Sequence, residues 1–191
     1  MLSDGRIKTL AHNLVHYSCS LKKGENLLIE CTEADWQLVG CIIREAYAVG
    51  AYPFVSLGDS RIKRELLMGM DKRLADAMAE FDKPKFEKMQ AYIGIRGGNN
   101  AYETSDVPSK NMDAYNLYYA HPVHHDIRVK KTKWVILRYP TPGMSAMSGM
   151  STEAFEDMYF DLCNLDYAKM DKAMDPLADV INRTDKVRIV S

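Results

Sequence analysis

Three imidazoles and a carboxylate crowd into His121-Pro122-Val123-His124-His125-Asp126, the densest group of metal-ligand residue types in the chain. Imidazoles three apart beside an aspartate suit zinc chemistry. Against this, Pro122 interrupts any helix that would align them, and no glutamate stands between two histidines as H-E-x-x-H requires. A solvated loop is the competing reading, and the expectation is that no metal or other cofactor binds within this chain. Gly94-Ile95-Arg96-Gly97-Gly98 could let a backbone approach a phosphate, but a flexible turn using glycine for positive φ is the favoured reading. Its spacing is not that of a dinucleotide fingerprint. Cys31-Thr32-Glu33-Ala34-Asp35 has no glycine, and no G-x-x-x-x-G-K-S/T occurs anywhere. Gly143-Met144-Ser145-Ala146-Met147 lacks the second glycine of a nucleophile elbow. Glu30, Glu33 and Asp35 offer paired carboxylates, yet capping and solvation account for them. No catalytic residue is assigned.

These groups must be held by elements, and hydrophobic spacing supplies them. Asn26–Cys31, Tyr52–Leu57, Ala91–Ile95 and Lys133–Tyr139 are short apolar runs of strand length, and Val187–Ser191 reads as a fifth. Between them lie helical patterns. Ile7, Leu10, Ala11, Leu14 and Tyr17 form one stripe ending near Lys22-Lys23-Gly24, with His12, Asn13 and His16 turned elsewhere. Trp36, Val39, Ile43 and Tyr47 form another, with Thr32 and Asp35 approximating a capping box and Gly50 closing it. Asp59 or Ser60 caps a third helix, and a fourth runs from about Asp71 to Met89, interrupted at Lys83-Pro84. A helix around Met112 to Tyr119 gives way to a polar linker. Ser151 or Thr152 opens the next helix, and the stripe Tyr167, Met170, Met174, Leu177 and Ile181 predicts one kinked or restarted at Pro176.

Strands alternating with crossover-length helices predict an α/β fold: an open, largely parallel five-stranded sheet with helices on both faces, three-layered and Rossmann-like, with residues 1–191 a single domain. In such a sheet, ligands lie beyond the carboxyl ends of the strands. Asn99, Asn100 and Thr141 can there hydrogen-bond a peptide main chain, with Trp134 and Tyr139 giving apolar area beside them. These five are the candidate cleft or interdomain edge; turn chemistry and core packing are the plain alternatives.

The chain has 191 residues, 47% hydrophobic and 27% charged, enough for a sizeable core. Its 25 basic and 26 acidic side chains leave a formal charge of -1, which provides no field for nucleic acid or an anionic membrane. Cys19, Cys31, Cys41 and Cys163 contain no C-x-x-C, so neither a disulfide framework nor a zinc ribbon is expected, and a reducing cytoplasm fits. Cys31 and Cys41 read as small core hydrophobes. The polar start has no secretory pattern, and the most apolar stretch, Ala46 to Leu57, is too short for a membrane span.

The order of the segments resembles a known family. Asn13–Ser18, Leu21–Glu25, Arg44–Tyr47 with Gly50-Ala51, Thr132–Val135 with Tyr139-Pro140-Thr141, Ala146–Glu156 and Asp166-Tyr167 with Met170 are together similar to the opening half of the thermophilic-type metalloaminopeptidases, the group of aminopeptidase T and aminopeptidase S. The resemblance implies a two-domain hydrolase that removes N-terminal residues from peptides with two divalent ions, which polarise the scissile carbonyl and activate water. It also implies that the ion ligands stand in a C-terminal domain beyond this chain, so no metal ligand carries over and the isolated chain is expected to be inactive. Peptides would then be met through that missing domain. A stand-alone α/β binding or assembly module that has lost catalysis is the alternative. Self-association into a homo-oligomer is expected, through the Met144 to Met158 stretch and the Val187 to Val190 segment.

Overall fold

The computed structural model describes residues 4–190. Its sheet is built from β1 (Asn26–Thr32), β2 (Tyr52–Gly58), β3 (Ala91–Arg96) and β4 (Lys133–Arg138), all parallel, in the order β2-β1-β3-β4. The helices are α1 (Gly5–His12), α2 (Trp36–Val49), α3 (Ser60–Met68), α4 (Lys72–Glu87), α5 (Ser109–Tyr115), α6 (Pro142–Met147), α7 (Thr152–Cys163) and α8 (Tyr167–Asn182), with π-helical turns at Asn13–Ser18 and Asn116–Val129.

Strand parity divides the core. Leu27, Ile29 and Cys31 of β1 and Ala91, Ile93 and Ile95 of β3 pack with Leu10, Val15, Leu38 and Ile42 from α1, the π turn after it and α2. Leu28 and Tyr92 point the other way, onto Leu67, Ala75, Ala79, Phe86, Tyr119 and Val123 from α3, α4 and the second π segment. The sheet is thus covered on both faces, as parallel sheets require. Side-chain oxygens of Asp35, Asp59, Asp71, Ser151 and Asp166 accept from backbone N–H groups at the starts of α2, α3, α4, α7 and α8. Each such cap contributes about 1 kcal/mol. Gly50 ends α2 at φ 82°.

The structure departs from the sequence reading at several places. Among the described residues there are four strands, not five: residues 186–190 have no regular structure and are exposed, and Ser191 lies outside the described residues. The β-branched Val187, Ile189 and Val190 suit a strand, but a strand also needs a neighbour to pair with. Asp35 alone caps α2, while Thr32 ends β1. The first helix stops at His12 and widens into a π turn, marked by the Cys19 N–H donating to the Leu14 carbonyl at 3.0 Å. The expected interruption at Pro84 is absent, because the proline sits in the last turn of α4, where a single intrahelical bond is lost. Likewise α8 runs through Pro176 without restarting. The expected polar linker at 120–131 is instead a π-helical continuation of α5 that takes Pro122 inside it.

Candidate functional site at the sheet's switch point

The strand order reverses between β1 and β3, so the loops leaving these two strands diverge and open a crevice at their carboxyl ends. The register sets what lines it. Thr32 pairs with Arg96, and Arg96 with Arg138, so the three side chains stand in one row on the α3–α4 face. Lys63 reaches in from α3. The crevice has a volume of about 400 Å³ and is lined by Thr32, Ser60, Lys63, Arg96, Asn100 and Arg138 among others. A second cavity of about 220 Å³ shares Thr32, Lys63, Leu67 and Arg96 with it and is walled by Glu30, Tyr115, Tyr119 and His124.

Two glycines let the loops close around this space. A Cβ on Gly97 would stand 2.7 Å from Glu33 and Ala34 backbone atoms, and one on Gly143 would stand 2.0 Å from the Asn99 carbonyl oxygen. Gly97 therefore serves close packing and not positive φ, which belongs here to Glu33 at 52°. The Glu33 carboxylate accepts the Ser60 N–H at 2.5 Å, filling the start of α3.

Cations outnumber carboxylates on the crevice wall. Lys63, Arg96 and Arg138 line it together with one carboxylate, Glu103. Deeper in, the Tyr92 hydroxyl donates to Glu30 at 2.5 Å and accepts from Arg96 at 3.3 Å. Burial, then the Glu30 charge, pushes the Tyr92 phenol well up, and the same two causes push Tyr115 up to about 12. Lys63 is held below the ordinary lysine range by desolvation and by Arg96. Burial lowers His124 to about 4, with Arg128, Arg96 and Lys63 adding to it against Glu30, so this imidazole is neutral at pH 7. Lys63, Arg96 and Arg138 can hold a carboxylate or phosphate in the crevice, with the neutral imidazole of His124 in the adjoining cavity. A nucleophile with a base beside it does not occur among these side chains.

The residues expected at this edge are distributed unevenly. Asn100 lines the crevice, though its Oδ1 accepts the Tyr102 N–H and its Nδ2 donates to Glu103, both at 3.0 Å. Asn99 borders adjoining space and accepts the Gly143 N–H at 3.1 Å, tying the loop after β3 to the one after β4. Thr141 is buried and caps α6 through the Met144 N–H. Tyr139 packs edge-on against Phe160 in the α1–α2 core layer, its phenol pushed to about 12 by burial. Trp134 lies near the amino end of β4, beneath the Arg128 guanidinium at 5.0 Å. Lys63, Arg96 and Arg138 were not singled out from the sequence. In Tyr92-x-Gly94-x-Arg96 and Trp134-x-Ile136-x-Arg138, period-two counting fixes which face of its own strand each arginine takes, and the β3–β4 register then brings the two side by side.

The His121 to Asp126 group does not converge. His121 and His125 stack on the exposed side at 5.4 Å, Asp126 is taken by Lys130 and His121, and His124 turns inward against Phe86 and Tyr119. A pair of divalent ions, as the resemblance implies, is not fitted by the crevice either, where ammonium and guanidinium groups dominate. Among the described residues one set of three metal-ligand side chains does converge, His12, His16 and Glu45, on the opposite face of the sheet.

No curated protein sequence matches the chain significantly. Among solved structures, wild-type AmpT from Thermus thermophilus superposes with a TM-score of 0.61 at 19% identity, over 83% of this chain and 42% of that one. This likeness shows a shared fold, and the chain spans less than half the length of AmpT. An alcohol dehydrogenase superfamily protein from Novosphingobium aromaticivorans overlaps loosely, with a TM-score of 0.34 at 14% identity over 95% of this chain and 58% of its own, and bears on nothing further. The sequence model of the thermophilic metalloproteases matches residues 3–185, almost the whole length, and so the chain belongs to the thermophilic metalloprotease family.

Proposed function

We propose that this chain is the N-terminal α/β domain of a cytoplasmic, metal-dependent aminopeptidase that hydrolyses N-terminal residues from peptides. The observation that carries the reading is the family match over residues 3–185. In this reading the two divalent ions and their ligands belong to a further domain, peptides are met through that domain, and the present chain alone is inactive. The crevice at the switch point faces the substrate. Arg96 and Arg138 suit a peptide carboxylate, and Asn99 and Asn100 hold the loop that shapes its rim.

The test compares the chain alone with the chain joined to the metal-binding domain of a family member, using aminoacyl anilides and short peptides with zinc, cobalt or manganese. Turnover is expected only in the joined protein, and Arg96→Gln, Asn99→Ala and Asn100→Ala should lower it by more than they lower thermal stability. Metal-dependent turnover by the isolated chain that survives further purification would overturn the reading. A stand-alone assembly module is favoured by a different observation: Met170, Met174, Leu177 and Ile181 of α8 are all exposed on one stripe. Light scattering would support that second reading if the chain forms a defined oligomer that Leu177→Glu dissolves.

A further inference from the structure

His12 and His16 are four residues apart, where α1 runs into its π turn, and Glu45 stands on the neighbouring α2. One carboxylate oxygen, Glu45 Oε2, lies 3.2 Å from His12 Nδ1 and 2.9 Å from His16 Nε2. The two rings stack with centroids 4.1 Å apart and 24° between planes, and the three potential ligand atoms all lie within 4.8 Å of one another. In a tetrahedral site with bonds of about 2.0 to 2.1 Å, ligand atoms are about 3.4 Å apart. Two of the three separations are already within half an ångström of that value, so little movement would let an ion replace the shared hydrogen bonds.

From this convergence we propose that His12, His16 and Glu45 form a binding site for one divalent transition-metal ion of the zinc class, separate from any catalytic pair. Two imidazoles and one carboxylate suit zinc, copper, nickel or cobalt, and not magnesium or calcium, which take all-oxygen shells. His12 and His16 are exposed, so water completes the shell. The site joins two helices whose buried faces, Ile7, Leu10 and Ala11 on α1 and Leu38, Cys41 and Ile42 on α2, cover the same side of the sheet. A bound ion therefore acts as a clasp between them and stabilises the fold by linkage. The sequence held the signal in His-x-x-x-His at helical spacing, but the third ligand comes from a separate element.

This inference does not depend on the aminopeptidase reading. The experiment uses tag-free, chelator-treated full chain with zinc chloride, followed by calorimetric titration and thermal melting. One ion per chain is expected, with Tm rising by roughly 5 to 10 °C at a hundredfold excess over Kd. His16→Gln and Glu45→Gln should each weaken zinc binding by at least about tenfold, since even supporting partners of ligands matter that much. Their metal-free melting should stay close to that of the parent, which shows that they fold. The double variant His121→Gln/His125→Gln should bind as the parent does. The proposal is overturned if the parent gives neither heat nor a Tm shift, if His16→Gln and Glu45→Gln retain parental affinity, or if the His121→Gln/His125→Gln protein is the one that loses it.

Discussion

The two faces of the sheet end in opposite ways. Toward α1 and α2, the final row of inward side chains is Cys31, Ile95 and Leu137, and apolar packing continues to the tips of the strands. One residue later, on the α3–α4 face, the row is Thr32, Arg96 and Arg138. The same strands and register thus carry core on one side and an anion-attracting crevice on the other, through the alternation of strand side chains alone. The candidate crevice opens where one face stops being core.

The largest effect that would sharpen this contrast is on the packed face. Ile93 is fully buried between α1, α2 and the sheet, so Ile93→Ala should cost about 2 to 5 kcal/mol by lost transfer energy and an unfilled cavity. Urea unfolding measures it. A cost below 1 kcal/mol would mean that the layer repacks freely and that the contrast between faces is shallow. Gly97→Ala comes next, because its Cβ would meet the backbone of Glu33 and Ala34 and push apart the loops after β1 and β3. About 1 to 3 kcal/mol is expected, as for other overpacked sites, together with altered crevice geometry.

These examples also show what the sequence could reveal. Four apolar runs between helical stripes sufficed for a parallel sheet, because buried strands need both length and hydrophobicity, and both are visible locally. The fifth strand misled because Val187, Ile189 and Val190 make a short β-branched run of strand length while pairing is a long-range matter. Pro122 misled because a π-helical segment tolerates it. From their place after β3, Asn99 and Asn100 could be placed at the carboxyl edge of the sheet, where Asn100 lines the crevice and Asn99 borders adjoining space. Arg96 and Arg138 become neighbours only through the β3–β4 register, which no local pattern states.

Titration gives a third test, since His124 sits on the polar side of the contrast. Its pKa is lowered to about 4 in the folded chain, against about 6.5 for an unperturbed imidazole. Below pH 6.5 the unfolded chain therefore takes up a proton that the folded one refuses, and stability is lost as pH falls from about 6.5 to about 4. The slope from this group is at most about 1.4 kcal/mol per pH unit. Arg128 Nε lies 3.4 Å from His124 Nδ1, so charging the ring also sets two cations together. His124→Gln should flatten the dependence in that window, as chemical unfolding at several pH values would show. An unchanged slope would assign the acid sensitivity to other groups.

The smallest effect on stability bears most directly on what the crevice is for. Arg96 and Arg138 are register partners on adjacent parallel strands, and like charges side by side destabilise a sheet by about 0.2 to 1 kcal/mol. Arg96 is partly engaged by the Tyr92 hydroxyl, so the cleaner variant is Arg138→Gln, which leaves that bond in place. It should raise Tm by up to about 3 °C at low salt, and the gain should shrink as salt screens the exposed pair. Affinity for a peptide carboxylate or inorganic phosphate should fall in the same protein. A stabilised fold that binds anions less well is the signature of charges kept for a ligand at the expense of the sheet. If Arg138→Gln instead lowers Tm, or the difference does not respond to salt, the arginine row is an ordinary solvated edge and the contrast between the two faces is one of packing alone.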